Sequence, residues 1–219
     1  MRYGMVIDLN RCIGCHACSM ACKIENDTPP GVFWSRVFQV EEGRYPDVRR
    51  SYIPRLCMQC EDPACIRVCS TKATYKDSLG LVRIDEQKCM GCKACILACP
   101  YGVRSVNEGG RYFSTDVPWG ETEERHQTGT VSKCTFCAHL IGKGEDPACV
   151  SACPTRARHF GDLSDPESAV FQLIKSRFGF QFHPEFRLNP SVYYLPPKGA
   201  ALGVVFYTLE HSKRKEEKL

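Results

Sequence analysis

The sequence lacks any apolar run of the roughly 18 to 20 residues needed to cross a bilayer. Its longest apolar stretch, at 199–209, is far shorter and is followed by a charged tail. The N-terminus lacks the apolar core and the small-residue cleavage site of an export signal. A glycine-rich nucleotide-binding fingerprint is also missing. We therefore expect neither a membrane span nor a nucleotide site, and any membrane association would depend on a partner.

Cysteine, in contrast, is abundant, at 16 of 219 residues. Cysteine-rich chains are either disulfide scaffolds, which are usually short secreted proteins, or thiolate metal proteins. Because the chain shows no export signal, metal ligation is the favoured interpretation. The cysteines form four groups of four, namely motif I (Cys12, Cys15, Cys18, Cys22), motif II (Cys57, Cys60, Cys65, Cys69), motif III (Cys89, Cys92, Cys95, Cys99) and motif IV (Cys134, Cys137, Cys149, Cys153).

The four motifs repeat in the order A, B, A′, B′. The segment IDLNRCIGCHACSMAC at 7–22 matches IDEQKCMGCKACILAC at 84–99. The segment EDPACIRVCSTKA at 61–73 matches EDPACVSACPTRA at 145–157. Self-similarity at a nearly fixed period, here about 80 residues, indicates a duplicated structural unit.

The spacing of the cysteines indicates the metal. C-x2-C-x2-C-x3-C followed by proline is the ligand run of bacterial ferredoxins, and residues 89–100 fit it at every position. In that run three thiols bind one cluster and the fourth binds its neighbour. Zinc sites instead use separated C-x2-C pairs, often with histidine, and a third thiol in one run does not suit a single tetrahedral ion. Sixteen thiols in three-plus-one sets predict four [4Fe–4S] clusters.

The formal net charge of +4 has to be corrected for these clusters. An oxidised cubane with four thiolates carries about −2, so four of them bring the sum to about −4. Basic residues beside the motifs would then offset negative charge, although any one of them could equally be solvated surface. These residues are Arg11, Lys23, Arg67, Lys72, Lys88, Lys93, Lys133, Arg156 and Arg158.

The secondary structure is expected to consist of short elements. Alternating apolar residues predict strands at 3–9 and 81–84, and a hairpin of 32–41 with 48–54 around Glu42-Gly43. A turn is predicted at 77–80, and short helices over the last cysteines of each motif. Residues 101–133 show little periodicity and are predicted as a surface insertion. Ser164 to Glu167 predict the start of a helix that ends near Phe178.

With these motifs in this order, the chain resembles the four-cluster iron–sulfur subunits of the molybdopterin oxidoreductases, which include dimethyl sulfoxide, polysulfide, thiosulfate, tetrathionate and arsenate reductases. The resemblance covers residues 3 to about 160. It rests on the four motifs, on the eleven-residue spacing between Cys137 and Cys149, and on the opening MVIDLNRCIGCHACSMACKIEN. That opening is most similar to the polysulfide, tetrathionate and arsenate branch.

The resemblance implies an α+β fold in which two ferredoxin-like modules are nested, motif I pairing with IV and motif II with III. The sequence repeat alone does not choose this over pairing I with II and III with IV. The implied ligand sets are set 1 (Cys12, Cys15, Cys18, Cys153), set 2 (Cys57, Cys60, Cys65, Cys99), set 3 (Cys89, Cys92, Cys95, Cys69) and set 4 (Cys134, Cys137, Cys149, Cys22).

The same resemblance divides the chain into regions. Residues 1–30 with 130–160 would form an outer module, and residues 50–105 an inner module. Residues 106–129 would be an insertion loop, and residues 161–219 a C-terminal extension for subunit contacts. The aromatic residues Tyr112, Phe113 and Trp119, and those within 178–207, are of the type found at interfaces. They could equally cover the core of the modules.

The implied role is electron transfer, without catalytic residues in this chain. The subunit would relay electrons between a membrane quinone-linked subunit, or another donor, and a molybdopterin catalytic subunit carrying molybdenum or tungsten. The complex would be a respiratory reductase for a sulfur compound or arsenate, and no nucleic acid partner is expected. Partner subunits would hold the chain at the membrane, on the outer face after co-export, with the cytoplasmic face as the alternative. A soluble polyferredoxin, or a hydrogenase-type subunit without molybdenum, is the rival interpretation.

Overall fold

The computed structural model describes residues 1–109 and 126–197, where the chain forms an α+β fold of short elements. The strands are β1 (Tyr3–Asp8), β2 (Arg36–Arg44), β3 (Asp47–Arg55), β4 (Thr74–Lys76), β5 (Val82–Ile84), β6 (Ser105–Val106), β7 (Val131–Ser132), β8 (Arg158–Asp162) and β9 (Val192–Leu195). The α-helices are α1 (Ala17–Asn26), α2 (Ala64–Arg67), α3 (Ala94–Leu97), α4 (Ala138–Ile141), α5 (Ala148–Ser151) and α6 (Ala169–Ser176).

Strand β1 is the centre of a three-stranded sheet in the order β8-β1-β9. β8 pairs antiparallel with β1, and β9 pairs parallel with it. Because both faces of the sheet are covered, β1 is almost wholly buried, with Met5 and Ile7 in the main core. Val6 points to a second cluster, where it packs with Val170 of α6 and Leu195. The strand that leads into motif I therefore lies beside the strand that leaves motif IV.

The inner motifs are joined in the same way. β4, which follows motif II, pairs antiparallel with β5, which leads into motif III. The turn between them lies at 77–80 as predicted, and Asp77 Oδ1 accepts hydrogen bonds from the amides of Leu79 and Leu81. Among the helices, α1 packs against α5, and α2 against α3. The chain thus brings motif I close to motif IV, and motif II close to motif III.

Two predicted boundaries are wrong. The β2–β3 hairpin turns at Tyr45-Pro46 and not at Glu42-Gly43, since Gly43 lies inside the ladder opposite Val48. Helix α6 begins at Ala169, and Ser168 is its N-cap, accepting a hydrogen bond from the amide of Phe171 at 3.2 Å. For α6, Ser164 and Ser168 both have N-cap chemistry, and the packing of Val170 against Val6 and Leu195 favours the later start.

The prediction that residues 101–133 form a surface insertion is wrong for both ends of that span. β6 and β7 pair with each other, and Tyr101, Arg104 and Asn107 are buried together with residues 130–134. Asn107 Nδ2 donates to Thr130 Oγ1 at 3.0 Å across the base of the span. Residues 110–125, which include Tyr112, Phe113 and Trp119, lie outside the described residues, as do residues 198–219.

Residues 161–197 cover the core of the chain itself. Phe182 stacks on Tyr194 with ring centroids 4.0 Å apart, and the Tyr194 hydroxyl donates to the carbonyl of Pro54 at 2.8 Å. The predicted role of this extension in subunit contacts stays a prediction. Within 1–109 and 126–197, no helix has the length and apolar character required to cross a bilayer.

Candidate metal centres

All sixteen cysteines lie within the described residues, and none of them forms a disulfide with another. All sixteen are therefore present as thiols. Most of the thiols are buried or partly buried. The two exposed cysteines, Cys15 and Cys92, occupy equivalent positions in motifs I and III.

The thiols of the outer motifs lie close to one another. Cys12, Cys15, Cys18 and Cys153 line one small cavity. Burial raises the pKa of the Cys12 thiol, and its neighbours Cys18 and Cys153 raise it further. The residues that the resemblance assigns to set 1 are therefore neighbours across the first and last motifs.

A second group of neighbours surrounds Cys22 in α1. Burial raises the pKa of Cys22 to about 12, and the next largest effects come from Cys149 and Cys137. Burial also raises the pKa of Cys134, followed by the effects of Cys22 and Cys149. Cys22 thus faces the thiols of motif IV, with Cys18 making a weaker interaction from within its own motif.

The inner motifs show the same arrangement. Burial raises the pKa of Cys60, and Cys57, Cys99 and Cys65 add to the effect. For Cys95, burial is again the largest cause, and the thiols that raise its pKa are Cys89 and Cys69. In both cases one neighbour comes from the other inner motif.

The last cysteines of motifs II and IV carry matching hydrogen bonds. The amide of Thr74 donates to Cys69 Sγ at 3.4 Å, and the amide of Ala157 donates to Cys153 Sγ at 3.2 Å. Burial alone would raise the pKa of both thiols, but these bonds and those from nearby threonines lower it below the ordinary value. Amide donors stabilise the thiolate, the form that binds metal.

The nine basic residues expected to offset cluster charge separate into two groups. Six are exposed, namely Arg11, Arg67, Lys72, Lys88, Lys93 and Arg156. Lys23, Lys133 and Arg158 are buried. Lys23 donates to the carbonyls of Thr28, Pro29 and Val32, whereas Lys133 and Arg158 face thiols.

Arg158 makes the most direct contact. Its Nη2 donates to Cys18 Sγ at 3.3 Å and to Ser35 Oγ at 2.9 Å. Burial would lower the pKa of Arg158, but the thiols of Cys149 and Cys18 raise it above the ordinary value. The guanidinium therefore remains charged next to the cysteines of motifs I and IV.

A fourth buried cation, Arg104, was not among the predicted residues because it falls in the span interpreted as a surface insertion. It interacts electrostatically with Cys65, Cys57 and Cys95. The sequence contained a positional signal for it, since Arg104 is the fifth residue after Cys99, the last cysteine of motif III, just as Arg158 is the fifth after Cys153, the last cysteine of motif IV. Comparing motif III with motif IV beyond the fourth cysteine would have identified it.

Comparison with known proteins identifies iron–sulfur relatives. A model of the 4Fe-4S dicluster domain matches residues 48–116 and 105–163, and a model of a 4Fe-4S binding domain matches residues 3–24. The arsenate respiratory reductase iron–sulfur subunit of Shewanella sp. is 43% identical, over 89% of this chain and 96% of its own length. This protein belongs to the family of iron–sulfur electron-transfer subunits of molybdoenzyme reductases. A tetrathionate reductase subunit of Salmonella typhimurium is 39% identical (89% and 72%), and a polysulfide reductase chain of Wolinella succinogenes is 36% identical (90% and 95%).

Like its relatives, this iron–sulfur subunit transfers electrons and is not a catalyst by itself. The residues present fit [4Fe–4S] clusters. Among the described residues, the buried Arg104 Nη2 and Tyr101 hydroxyl have no oxygen or nitrogen hydrogen-bond partner, and both lie beside thiols, Tyr101 near Cys60 and Cys99. The sulfur atoms of a cluster would supply the missing acceptors. In the same ranges, no three His, Cys, Asp or Glu residues form a group that could hold a single metal ion.

Two glycines shape the loops of this iron–sulfur subunit. Gly14 and Gly91, each just before the second cysteine of its motif, have φ values of +70° and +71°. A Cβ atom at Gly14 would lie 2.3 Å from the Tyr52 ring, and one at Gly91 would lie 2.4 Å from the carbonyl oxygen of Gly129. The protein packs tightly on the outer side of both loops, so glycine is required there by packing and by backbone conformation alike.

Proposed function

We propose that this chain carries four [4Fe–4S] clusters on sets 1 to 4, in two nested ferredoxin-like modules, and relays electrons in a respiratory reductase. The outer module is built from residues 1–30 and 130–160, and the inner module from residues 50–105. The observation that carries the proposal is that thiols of motif I have their neighbours in motif IV, and thiols of motif II in motif III. The pairing of β1 with β8 and of β4 with β5 gives independent support.

The thiol neighbours also suggest an order for the four sets. The pKa of Cys149 of set 4, which burial raises, is raised further by Cys18 of set 1. The pKa of Cys134 of set 4, which burial also raises, is raised further by Cys57 of set 2. Sets 2 and 3 meet at Arg104. The resulting series is 1, 4, 2, 3, and its two end sets contain the exposed cysteines Cys15 and Cys92. Electrons would enter and leave at these ends.

When bound, each cluster accepts and donates one electron at a time. The residues of the chain hold each cluster with four thiolates, exclude water from the middle of the series and supply amide hydrogen bonds to sulfur. Cys134, Cys137, Cys149 and Cys22 of set 4 are all buried, which keeps water from this interior position. Burial and hydrogen bonds to sulfur are among the factors that set cluster potentials.

The partners follow from the family. The relatives are named as subunits of arsenate, tetrathionate and polysulfide reductases. We infer that this protein binds a molybdopterin catalytic subunit with molybdenum or tungsten and an integral membrane subunit that exchanges electrons with quinone. The terminal substrate would be a sulfur compound or arsenate. These partners would hold the protein at the outer face of the membrane.

Purification of the protein from the cells that make it tests the proposal. We expect a brown complex that contains a pterin subunit, with about 16 iron atoms per copy of this chain. Four reducible [4Fe–4S] signals should appear in an EPR-monitored redox titration. Isolation of the chain alone, with full iron and no pterin, would instead support the polyferredoxin or hydrogenase-type alternative. About four zinc atoms and no iron would refute both.

The side of the membrane needs a separate measurement. In intact spheroplasts, a protease added outside should degrade the protein if it lies on the outer face. Protection until lysis would place it on the cytoplasmic face and would leave the electron-transfer role unaffected.

A further inference from the structure

Five lysine and arginine residues are buried within the described ranges, namely Lys23, Arg55, Arg104, Lys133 and Arg158. Lys23 and Arg55 are hydrogen-bonded to backbone carbonyls. The other three each interact with thiols of two different sets. Each of these three residues lies between two of the proposed clusters.

Arg158 lies between sets 1 and 4. It is 3% exposed, and its Nη2 is 3.3 Å from Cys18 Sγ of set 1. On the other side it interacts with Cys149 and Cys134, both of set 4. Ser35 Oγ, at 2.9 Å, fixes the orientation of the guanidinium.

Lys133 lies between sets 4 and 2, at the junction of the two proposed modules. It is 2% exposed, burial lowers its pKa below the ordinary value, and the thiols of Cys57 of set 2 and Cys134 of set 4 oppose this effect. Its Nζ donates to the carbonyl of Cys134 at 2.9 Å and to the carbonyl of Val82. Gln59, which lies between two cysteines of motif II, donates to the same Cys134 carbonyl at 3.0 Å. The junction is therefore a closed network of buried hydrogen bonds.

Arg104 lies between sets 2 and 3. It is 6% exposed and interacts with Cys65 and Cys57 of set 2 and with Cys95 of set 3. Its Nη1 donates to Thr74 Oγ1 at 3.3 Å, while Nη2 has no oxygen or nitrogen acceptor within 1–109 and 126–197. A buried guanidinium nitrogen whose neighbours are thiols is suited to donate to cluster sulfur.

A positive charge in one of these gaps changes the reduction potentials of the two clusters beside it. Reduction adds one negative charge to a cluster, and this charge disfavours reduction of its neighbour through the poorly screening interior. A fixed cation between two clusters stabilises the reduced state of both and so offsets the cost of their mutual repulsion. Because the Coulomb energy falls with distance, the two clusters that flank the cation are affected most.

We propose that Arg158, Lys133 and Arg104 each place one positive charge in one gap of the series 1, 4, 2, 3. Together these charges raise the reduction potentials of the four neighbouring clusters, so that each can be reduced next to a reduced neighbour. The inference rests on the proposed function and extends it, since it assigns to each gap one residue and one effect. It also separates these cations from the exposed basic residues beside the motifs, such as Arg156, whose charge is screened by water.

The test uses the intact complex and three variants, Arg158→Gln, Lys133→Gln and Arg104→Gln, each of which removes a charge and keeps a hydrogen-bond donor. Arg156→Gln is the matched control, two residues from Arg158 and exposed. The four potentials are measured by EPR-monitored redox titration. We expect each gap variant to lower two potentials and the control to lower none.

The pattern of responses decides the inference without prior assignment of signals. Two clusters should each respond to a single variant, one to Arg158→Gln and the other to Arg104→Gln. The remaining two should each respond to Lys133→Gln and to one of the arginine variants. Equal shifts of all four potentials in every variant, or a shift in Arg156→Gln as large as in Arg158→Gln, would overturn the inference.

If a glutamine variant loses a cluster, the test uses variants that keep the charge, namely Arg158→Lys, Lys133→Arg and Arg104→Lys. Potentials close to those of the unmodified protein in these variants support the charge as the cause, and a fall in the flanking pair overturns it. Fewer than four [4Fe–4S] signals in the unmodified protein would refute the proposed function. Four signals without the expected pattern would refute only this inference.

Discussion

Replacing Cys12 and Cys153 together by alanine is expected to remove one cluster and not two. The two residues belong to the first and the last motif, yet they line the same cavity and Cys153 raises the pKa of Cys12. A cluster that has lost one of four thiolates is already weakened, and removal of a second ligand from the same cluster costs no further iron once that cluster is gone.

The magnitude follows from the iron count. The unmodified protein should bind about 16 iron atoms, and a variant without one cluster about 12. The Cys12→Ala/Cys153→Ala double variant should therefore stay near about 12 iron atoms. The control, Cys12→Ala/Cys69→Ala, removes ligands from sets 1 and 3 and should fall to about 8.

The assay is the quantitation of iron and acid-labile sulfide per chain, together with the number of [4Fe–4S] EPR signals after reduction. If motif I instead paired with motif II, the two double variants would exchange values. About 8 iron atoms for Cys12/Cys153 and about 12 for Cys12/Cys69 would refute the nested pairing.

Three further changes probe the scaffold. Asp8→Ala leaves the Arg177 guanidinium without its buried carboxylate and should lower the free energy of unfolding by roughly 2 kcal/mol, measured as a lower Tm. His126→Gln should lower stability at acidic pH only. Burial would lower the pKa of His126, but the hydrogen bond to Glu86 raises it above 6.5, so the stability it contributes is complete below that pH and is lost as the pH rises through the raised value. Gly91→Ala should reduce the iron bound by motif III, because the new Cβ would lie 2.4 Å from a carbonyl oxygen.

Two of these changes, Asp8→Ala and Gly91→Ala, have a matched comparison. Glu41→Ala breaks an ion pair with Arg50 whose side chains are about half exposed, and it should shift Tm little. Gly80→Ala shares the positive φ of Gly91 but meets open space, so it should cost only backbone strain. An equal loss of bound iron in Gly80→Ala and Gly91→Ala would contradict the packing argument. A stability difference between His126→Gln and the unmodified protein that grows with pH would contradict the pKa argument.

Local elements were predictable where the signal is local. The strand at 3–9 and the turn at 77–80 follow from alternation and from turn residues, and the structure has β1 at Tyr3–Asp8 and a turn after β4. The start of α6 was not predictable in this way, because Ser164 and Ser168 are both suitable caps. The packing of Val170 against Val6 and Leu195 favours a helix that begins after Ser168.

In the candidate site, too, some features were predictable from local sequence and others were not. Of the basic residues beside the motifs, Lys133 and Arg158 face thiols, whereas Lys72 and Arg156 are exposed, and the offset of cluster charge stays a prediction. Arg104 was missed. Identity and proximity to a cysteine in sequence do not determine whether a cation is buried, since burial depends on what packs over it.

The sequence by itself determined the class of cofactor and the internal duplication, because cluster ligation depends on thiols at short fixed spacings within one loop. Only the tertiary structure decided which motifs are neighbours, since this depends on the pairing of β1 with β8 and of β4 with β5. It also decided that Arg104, Lys133 and Arg158 lie among thiols from different motifs. Contacts between distant parts of a chain are set by strand pairing and packing, which short sequence spacings do not encode.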